Sequence, residues 1–560
     1  MIRSILTMGV VLTLLACRNN DVRGETGATV RVWAMDSVTR IDPLNAKPGR
    51  GGIKLAAARN EYEAFQIAVQ PAEEGVTVQD VAVGDLVGEG GRKIAGKRAT
   101  CYREHCVYVR RPSYNSSARV GLYPDALIPF VNPIDGGKLT EWHERRNKQG
   151  AKYDAIPRKI QGGFTETFWI DLHVPADAAP GDYRGEVRVK LAGKAAAVVP
   201  VELHVWSFAL PDTPTVRSHF GGFHRVAAAH GVKPGSPEFR TIEERYLAAM
   251  TNHRITPDVP RHLLPKANAN GSIDPSATHD KLAAFMKRHR VNAIQVPFGC
   301  TGDPAGKNRE ATKRYLSAMQ AYLAKHGWLG CAYVYILDEP NDKEAYETVR
   351  RRAAVVHEAA PKIRVLCTEQ TKPSRPDWGN LDDAVDIWVP LWPLHDEPTA
   401  LKRLAAGDEL WSYTALCQRG KDPLFWQMDF PPLNYRVWAW LNYRYQMTGL
   451  LYWTSVYWGH VKDPWLDQPS FRLAYNGEGM LFYPSRDAGF AGPVLSMRLK
   501  QIREGMEDYE YLHLLANKAG RDKAITFAKR IGRTWRDWEK DPAKLLAARA
   551  ELARTIETSK

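Results

Sequence analysis

The chain has 560 residues, 44% of them hydrophobic and 25% charged, a balance that excludes a disordered chain and, at this length, calls for two or three packed domains. Its formal net charge of +14 is not gathered into basic blocks, and no nucleic-acid motif is present, so nucleic acid is excluded as a partner. The excess reads as a solvated basic surface, or as a positive field that draws acidic glycans.

At the N-terminus, Arg3 precedes an apolar stretch, Ile5 to Leu15, too short to span a bilayer and of the length of a secretory signal. Leu14-Leu15-Ala16-Cys17 resembles the bacterial lipobox. Residues 1–16 are therefore expected to be a lipoprotein signal peptide and Cys17 the lipidated first residue of the mature chain. Residues 17–27 would be a linker. A plain cleaved signal with an incidental Cys is the alternative. The expected location is outside the cytoplasm, held to a bacterial membrane by a lipid anchor at the periplasmic face or the cell surface.

Of the seven cysteines, Cys101 and Cys106 are near enough in sequence to close a small disulfide loop in an oxidising compartment. Cys300, Cys331, Cys367 and Cys417 lie in or beside apolar runs and read as small buried hydrophobes. No metal-ligand spacing emerges, and no cofactor is implied.

Residues 28–210 read as short alternating strands: Phe65, Ile67 and Val69; Val187, Val189 and Leu191; Val201, Leu203 and Val205. Alternation buries one face of each strand, and Gly193-Lys194 suits the turn of a hairpin, so an antiparallel β-sandwich is predicted. A segment rich in Pro, Gly and charge, Tyr114 to Gly163, reads as an irregular excursion able to reach a neighbouring domain. Pro211-Asp-Thr-Pro214 punctuates the chain like a linker.

Over 211–485, strands alternate with amphipathic helices. The strands are expected at Val216 to Phe223, Ile255 to Val259, Ala293 to Phe298, Ala332 to Leu337, Arg364 to Thr368, Asp386 to Leu391, Leu410 to Leu416 and Leu450 to Val456. Eight βα units predict a closed (β/α)8 barrel of the TIM type, an α/β fold, and no Gly-rich phosphate fingerprint supports the competing doubly wound sheet. Residues 486–560 are expected to be a helical segment packed on the barrel, with Leu495, Leu499, Ile502, Met506, Tyr509 and Leu512 on one face. Asp541-Pro542 would start its last helix.

The chemistry is expected where Ala332-Tyr-Val-Tyr-Ile-Leu-Asp-Glu-Pro340 ends in two acids, Asp338 and Glu339, at the carboxyl end of the fourth strand. Burial and mutual repulsion would let one stay protonated beside an ionised neighbour, the division that glycosidic cleavage uses. Helix capping is the structural alternative for these acids, with Asn341 and Asp342 following. Neighbouring strand residues point to opposite sides, so both acids reach one site only if the backbone bends, and Pro340 is placed to end regular pairing. Aromatic residues surround the later strands: Trp388, Trp392, Trp411, Tyr413, Trp453, Tyr457 and Trp458. Rings of this kind stack on sugar C–H faces, although any one of them is more often core.

With these residues, the chain resembles the glycoside hydrolase family 123 catalytic-domain group, which overlaps proteins catalogued as domain of unknown function 4091. The resemblance runs through Tyr335-Ile-Leu-Asp-Glu-Pro340, Leu410-Trp-Ser-Tyr413, Tyr435-Arg-Val-Trp-Ala-Trp440, Gly449-Leu-Leu-Tyr-Trp453, Gly479-Met-Leu-Phe-Tyr-Pro484 and the helix Arg498 to Tyr511. It implies a retaining exo-β-N-acetylgalactosaminidase, or a related N-acetylhexosaminidase, in which the substrate's own 2-acetamido oxygen attacks the anomeric carbon. Glu339 would be the acid and then the base, and Asp338 would orient the acetamido group. Tyr413 would donate to the acetamido carbonyl, and Trp453 or Trp458 would floor the sugar, with Trp392 and Tyr457 as further substrate contacts. The chain departs from the family at Ser412, where a second Trp is expected, and at Ala415 and Leu416, where a Cys pair is expected. Charges on the helix at Glu504, Glu507, Asp508 and Glu510 read as solvated or ion-paired structure. Two other readings stand beside this one: a non-catalytic carbohydrate-binding lipoprotein, and a glycosidase for a sugar lacking the acetamido group, with Glu369 as nucleophile.

Overall fold

In the computed structural model the described residues are 20–23, 29–139, 151–223, 225–299, 302–416, 418–459, 461, 463–466, 469–471 and 474–559. The expected signal segment 1–16, Cys17, Cys300 and Cys417 lie outside them.

Two sheets make the sandwich. In one, the antiparallel neighbours run Asn20–Arg23, Thr29–Asp36, Glu61–Pro71, Glu166–Val174, Ala99–Val109 and Gly121–Pro129. The other holds Arg158–Ile160, Val76–Val83, Gly181–Leu191, Ala197–Ala209 and Ile53–Arg59, with the last pair parallel. Gly193, at φ 66°, turns the hairpin between Gly181–Leu191 and Ala197–Ala209. Alternation assigns the faces: Phe65, Ile67, Val69, Phe168, Ile170 and Leu172 fill the space between the sheets. The opposite face is covered as well, with Ala64, Trp169 and Leu127 packed against Met497. Cys101 and Cys106 are free thiols. They lie five residues apart on one extended strand, roughly 17 Å of chain, too far for a disulfide.

The first sheet is completed from far along the chain. Phe482–Pro484 and Pro493–Ser496 pair with each other, and the latter pairs with Gly121–Pro129. Strands that follow the last parallel strand, Gly449–Leu451, in sequence thus extend the N-terminal sheet.

Among the described residues, seven parallel strands follow the sandwich: β1 (Arg217–His219), β2 (Ile294–Gln295), β3 (Ala332–Leu337), β4 (Arg364–Cys367), β5 (Ile387–Trp388), β6 (Glu409–Tyr413) and β7 (Gly449–Leu451). Their order is β1-β7-β6-β5-β4-β3-β2, so the ladder is open between β1 and β2. The expected closed barrel of eight is corrected in this respect: Ile255 to Val259 is not a strand. Pro257 and Pro260 remove ladder donors there. Side chains bridge the gap instead. Thr256 N–H donates to Ser218 Oγ at 2.8 Å, and the Thr256 hydroxyl donates to Asn292 Oδ1 at 2.6 Å.

Four helices fix the surroundings: α1 (Lys343–Ala359), α2 (Asn434–Arg444), α3 (Met497–Ala519) and α4 (Pro542–Thr558). The N-cap of α4 is Asp541, whose carboxylate accepts from Ala543 N–H, and Pro542 occupies the first helical position, where its missing N–H costs nothing. Helix α3 is buried over most of its length and lies between the sandwich and the helices of the parallel sheet. Its acids are paired rather than solvated, because both sides of the helix are covered. Asp508 accepts from Arg436 at 2.7 and 2.8 Å and from Arg549 at 2.7 Å. Glu510 accepts from the Thr215 hydroxyl at 2.6 Å, and Lys500 and Arg503 of the same helix donate to Asp171 of the sandwich.

Candidate active site

Strand β3 delivers Asp338 and Glu339 to the carboxyl end of the parallel sheet. The bend needed to bring both acids to one site occurs at Glu339 itself, whose φ of 42° lies in the left-handed region that non-glycine residues avoid. Such a conformation costs about 1–3 kcal/mol and persists only when its surroundings hold it. Here Thr368, one residue past β4, is the holder: its Oγ1 accepts from Glu339 N–H at 2.8 Å and donates to Asp338 Oδ1 at 2.8 Å. Tyr335 adds a second donor to Asp338 Oδ1 at 2.7 Å. Burial, with the Asp338 charge next, raises the Tyr335 pKa well above its ordinary value and keeps the phenol a donor.

Capping does not explain the acids, since α1 is capped by Asp342, whose Oδ1 accepts from Ala345 N–H at 2.7 Å. Asp338 and Glu339 are exposed, which corrects the expectation that they are buried: they stand beyond the apolar part of β3, where the sheet opens to solvent. The buried carboxyl of this region is Glu369, 6% exposed. Burial, partly offset by a hydrogen bond from the Tyr346 hydroxyl at 3.0 Å, and then the Glu339 charge push its pKa up to about 7.

Tyr413, at the end of β6, donates to Glu339 Oε1 at 2.6 Å. The ring expected to serve the acetamido group is thus engaged by the catalytic candidate. Trp453 lies two residues beyond β7 and is 37% exposed, with its indole N–H donating to buried Glu478 at 2.9 Å. The Tyr457 ring is 4.6 Å from it, and the Arg225 guanidinium sits 4.5 Å over Tyr457. Gly479, at φ 70°, allows this packing, since a Cβ there would lie 2.7 Å from the Trp453 ring.

Trp392 and Trp458 are not at the rim. Trp392 is fully buried, stacked on Trp535 at 5.1 Å, and Trp458 is in the core with its indole N–H donating to Phe482 O at 3.1 Å. Trp411 fills the interior of the sheet against Tyr333, and Trp388 donates to Asp408 among the outer helices. Hydrogen bonds through Thr368 and from Tyr413 thus bring Asp338, Glu339 and Tyr413 together, Trp453 and Tyr457 pack on each other beyond β7, and Trp392 and Trp458 are left in packing.

Sequence reasoning missed Tyr335, Thr368, His219 and Asp258. The first two had a positional signal, being inside β3 or just past β4 near the carboxyl end. His219 closes β1; its Nδ1 lies 3.0 Å from Asp258 Oδ1 and 3.0 Å from the Tyr333 hydroxyl. Among the described residues, no group of three or more His, Cys, Asp or Glu could hold a metal ion, and no helix is long and apolar enough to cross a membrane.

Residues 287–515 match the family model described as glycoside hydrolase 123, catalytic domain, which covers β2 to β7 and most of α3. The resemblance drawn from the motifs is shown over that span, and it supports glycoside hydrolase chemistry. No curated protein matches the chain. Among solved structures, a family 123 glycoside hydrolase from Clostridium perfringens, described for glycolipid glycan hydrolysis, is similar with a TM-score of 0.66 at 13% identity, covering 94% of this chain and 97% of that one. That likeness is one of fold. A family 5 xyloglucanase from Bacteroides ovatus reaches a TM-score of only 0.29 at 10% identity, over 81% of this chain and 98% of its own.

Proposed function

We propose that this chain, which carries a glycoside hydrolase family 123 catalytic domain over residues 287–515, is an exported, lipid-anchored glycosidase removing terminal β-linked N-acetylhexosamine, N-acetylgalactosamine first, by a retaining, substrate-assisted route. One observation carries the reading. Among the described residues, both side-chain donors to Asp338 converge on Oδ1, and Tyr413 meets Glu339 at Oε1, so within that set the second oxygen of each carboxylate is left for a ligand at the mouth.

From that arrangement the steps follow. Asp338 Oδ2 accepts the acetamido N–H and orients the carbonyl oxygen, which attacks the anomeric carbon. Glu339, protonated on Oε2, gives its proton to the leaving glycosidic oxygen. An oxazolinium ion forms, stabilised by the Asp338 charge. Glu339, now ionised, takes a proton from water, which opens the ring and restores the original anomeric configuration. A bound sugar over these exposed carboxylates excludes water and strengthens both interactions. The Trp453 face, open and fixed by Glu478, supplies the platform for the ring.

The reading for a non-acetamido sugar needs an ionised nucleophile. Glu369 fits poorly: it is buried, tied to Tyr346, and holds its proton up to about pH 7. The Clostridium perfringens neighbour is described as acting on glycolipid glycans, and a membrane-held enzyme at the periplasmic face or cell surface would meet glycans of that class.

A panel of aryl β-glycosides with and without the N-acetyl group, followed by NMR for anomeric configuration, tests the proposal. Hydrolysis confined to N-acetylhexosaminides, with β product formed first, is expected. Turnover of the sugar lacking the acetamide, or an inverted product, rules out the acetamido mechanism, and binding without turnover favours the lectin-like alternative.

A further inference from the structure

We infer that His219 is a third polar contact on the sugar, donating from Nε2 to an acceptor oxygen of the hexosamine bound at Asp338 and Glu339; the inference rests on the reading of the site as a hexosaminidase. Position and ring geometry place it there. His219 ends β1, paired with Leu451, which in turn pairs with Tyr413, so it shares the mouth with the residue that holds Glu339. Its ring lies 5.7 Å from the Tyr335 ring, and the Tyr335 hydroxyl is bonded to Asp338.

The two ring nitrogens differ in their surroundings. Nδ1 is engaged by Asp258 Oδ1 and the Tyr333 hydroxyl. A carboxylate at Nδ1 fixes a proton on that nitrogen and the orientation of the ring. Nε2 has no hydrogen-bond partner among the described residues and is not among the fully buried unpartnered atoms, and the side chain keeps 12% exposure. An Asp-oriented imidazole with its second nitrogen accessible at the carboxyl end of a parallel sheet is built to contact a ligand.

The charge state agrees. Burial alone lowers the His219 pKa, but Asp258 and then Asp338 outweigh it and raise the value above 6.5. The groups facing the imidazole are Asp258 from the segment after Ile255, and Tyr333, Tyr335 and Asp338 from β3 and its end. On the β7 side the neighbour is Leu451, while Tyr452 gives only its backbone N–H to His219 O. With Nε2 protonated, the ring is a cationic donor at the mouth, beside the acid pair.

The experiment compares wild type, H219Q and H219F on an aryl N-acetyl-β-galactosaminide between pH 5 and 9. In wild type, KM is expected to rise at the alkaline end as the imidazolium deprotonates. H219Q keeps an amide donor near the Nε2 position and should show near wild-type KM at pH 6 without that rise. H219F should raise KM about tenfold at pH 6, with kcat within about threefold, the size expected for one lost charge-assisted hydrogen bond. Independently of those variants, the His219 imidazole resonances of E339Q should shift on titration with N-acetylgalactosamine. Unmoved resonances, or an H219F chain with wild-type KM and an unchanged KM profile, overturn the inference while leaving the hexosaminidase reading intact. A wild-type chain inert towards every N-acetylhexosaminide overturns both.

Discussion

The Tyr413 hydroxyl donates to Glu339 Oε1 at 2.6 Å, tying the end of β6 to the strained residue that follows β3. This bond selects which Glu339 oxygen is left for the substrate. Y413F should therefore leave the fold unchanged and reduce kcat by roughly 10- to 100-fold, the range for a hydrogen bond to a charged group. A kcat within twofold of wild type shows that Glu339 is positioned by something else.

The two carboxylates should be separable by chemistry. E339Q removes the proton donor and is expected to lower kcat by about 10²–10⁴ on an aryl N-acetyl-β-galactosaminide, with binding retained. D338N keeps the shape but not the charge that steadies the oxazolinium ion, and a loss of similar order is expected. Azide or another small nucleophile should not restore D338N, because Asp338 never bonds to the sugar; rescue with an inverted glycosyl azide marks Asp338 as a nucleophile.

Glu369 predicts a pH dependence of stability. Its native pKa of about 7 lies above the ordinary 4.5, so from pH 4.5 to 7 the unfolded chain releases a proton that the fold retains. The contribution is fully present below about pH 4.5 and is lost as pH rises to about 7, on the order of 3 kcal/mol in all. E369Q keeps an acceptor for Tyr346 but does not titrate. Its thermal stability should match wild type near pH 4.5 and exceed it at pH 8; parallel curves would remove Glu369 as the cause.

Asp125 and Arg498 join the sandwich to α3. Arg498 donates to both Asp125 oxygens at 2.9 and 2.8 Å, Tyr483 donates at 2.6 Å, and all three are buried. Removing one partner of such a pair leaves the other charge buried, at a cost of about 3–5 kcal/mol. D125N should lower the unfolding midpoint accordingly in urea or heat, whereas a surface pair such as Lys54 with Glu202 should change it little. Equal small effects from both would mean that the sandwich and α3 are held together by packing alone.

Much of the site was legible because strand-end position is a local property. Ala332 to Leu337 is apolar and the acids follow it, so the register that buries the strand also sets Asp338 and Glu339 at its mouth. The open ladder was partly legible too, since Pro257 and Pro260 in and beside an expected strand argue against pairing. Aromatic residues were less readable. Trp453 and Trp458 are five residues apart in one segment, yet one is exposed and the other in the core, because what covers each ring comes from elsewhere in the chain.

Local spacing, read in the chain alone, determined the alternating strands, the βα recurrence and the acid pair, since backbone geometry converts residue period directly into a buried face. Only the tertiary structure decided that Phe482–Pro484 and Pro493–Ser496 complete the N-terminal sheet, that Glu504, Glu507 and Asp508 of α3 are buried in ion pairs, and that His219 stands against Tyr335, which donates to Asp338. Those relations depend on which distant surfaces meet, and contacts between residues hundreds of positions apart leave no periodic trace in the sequence.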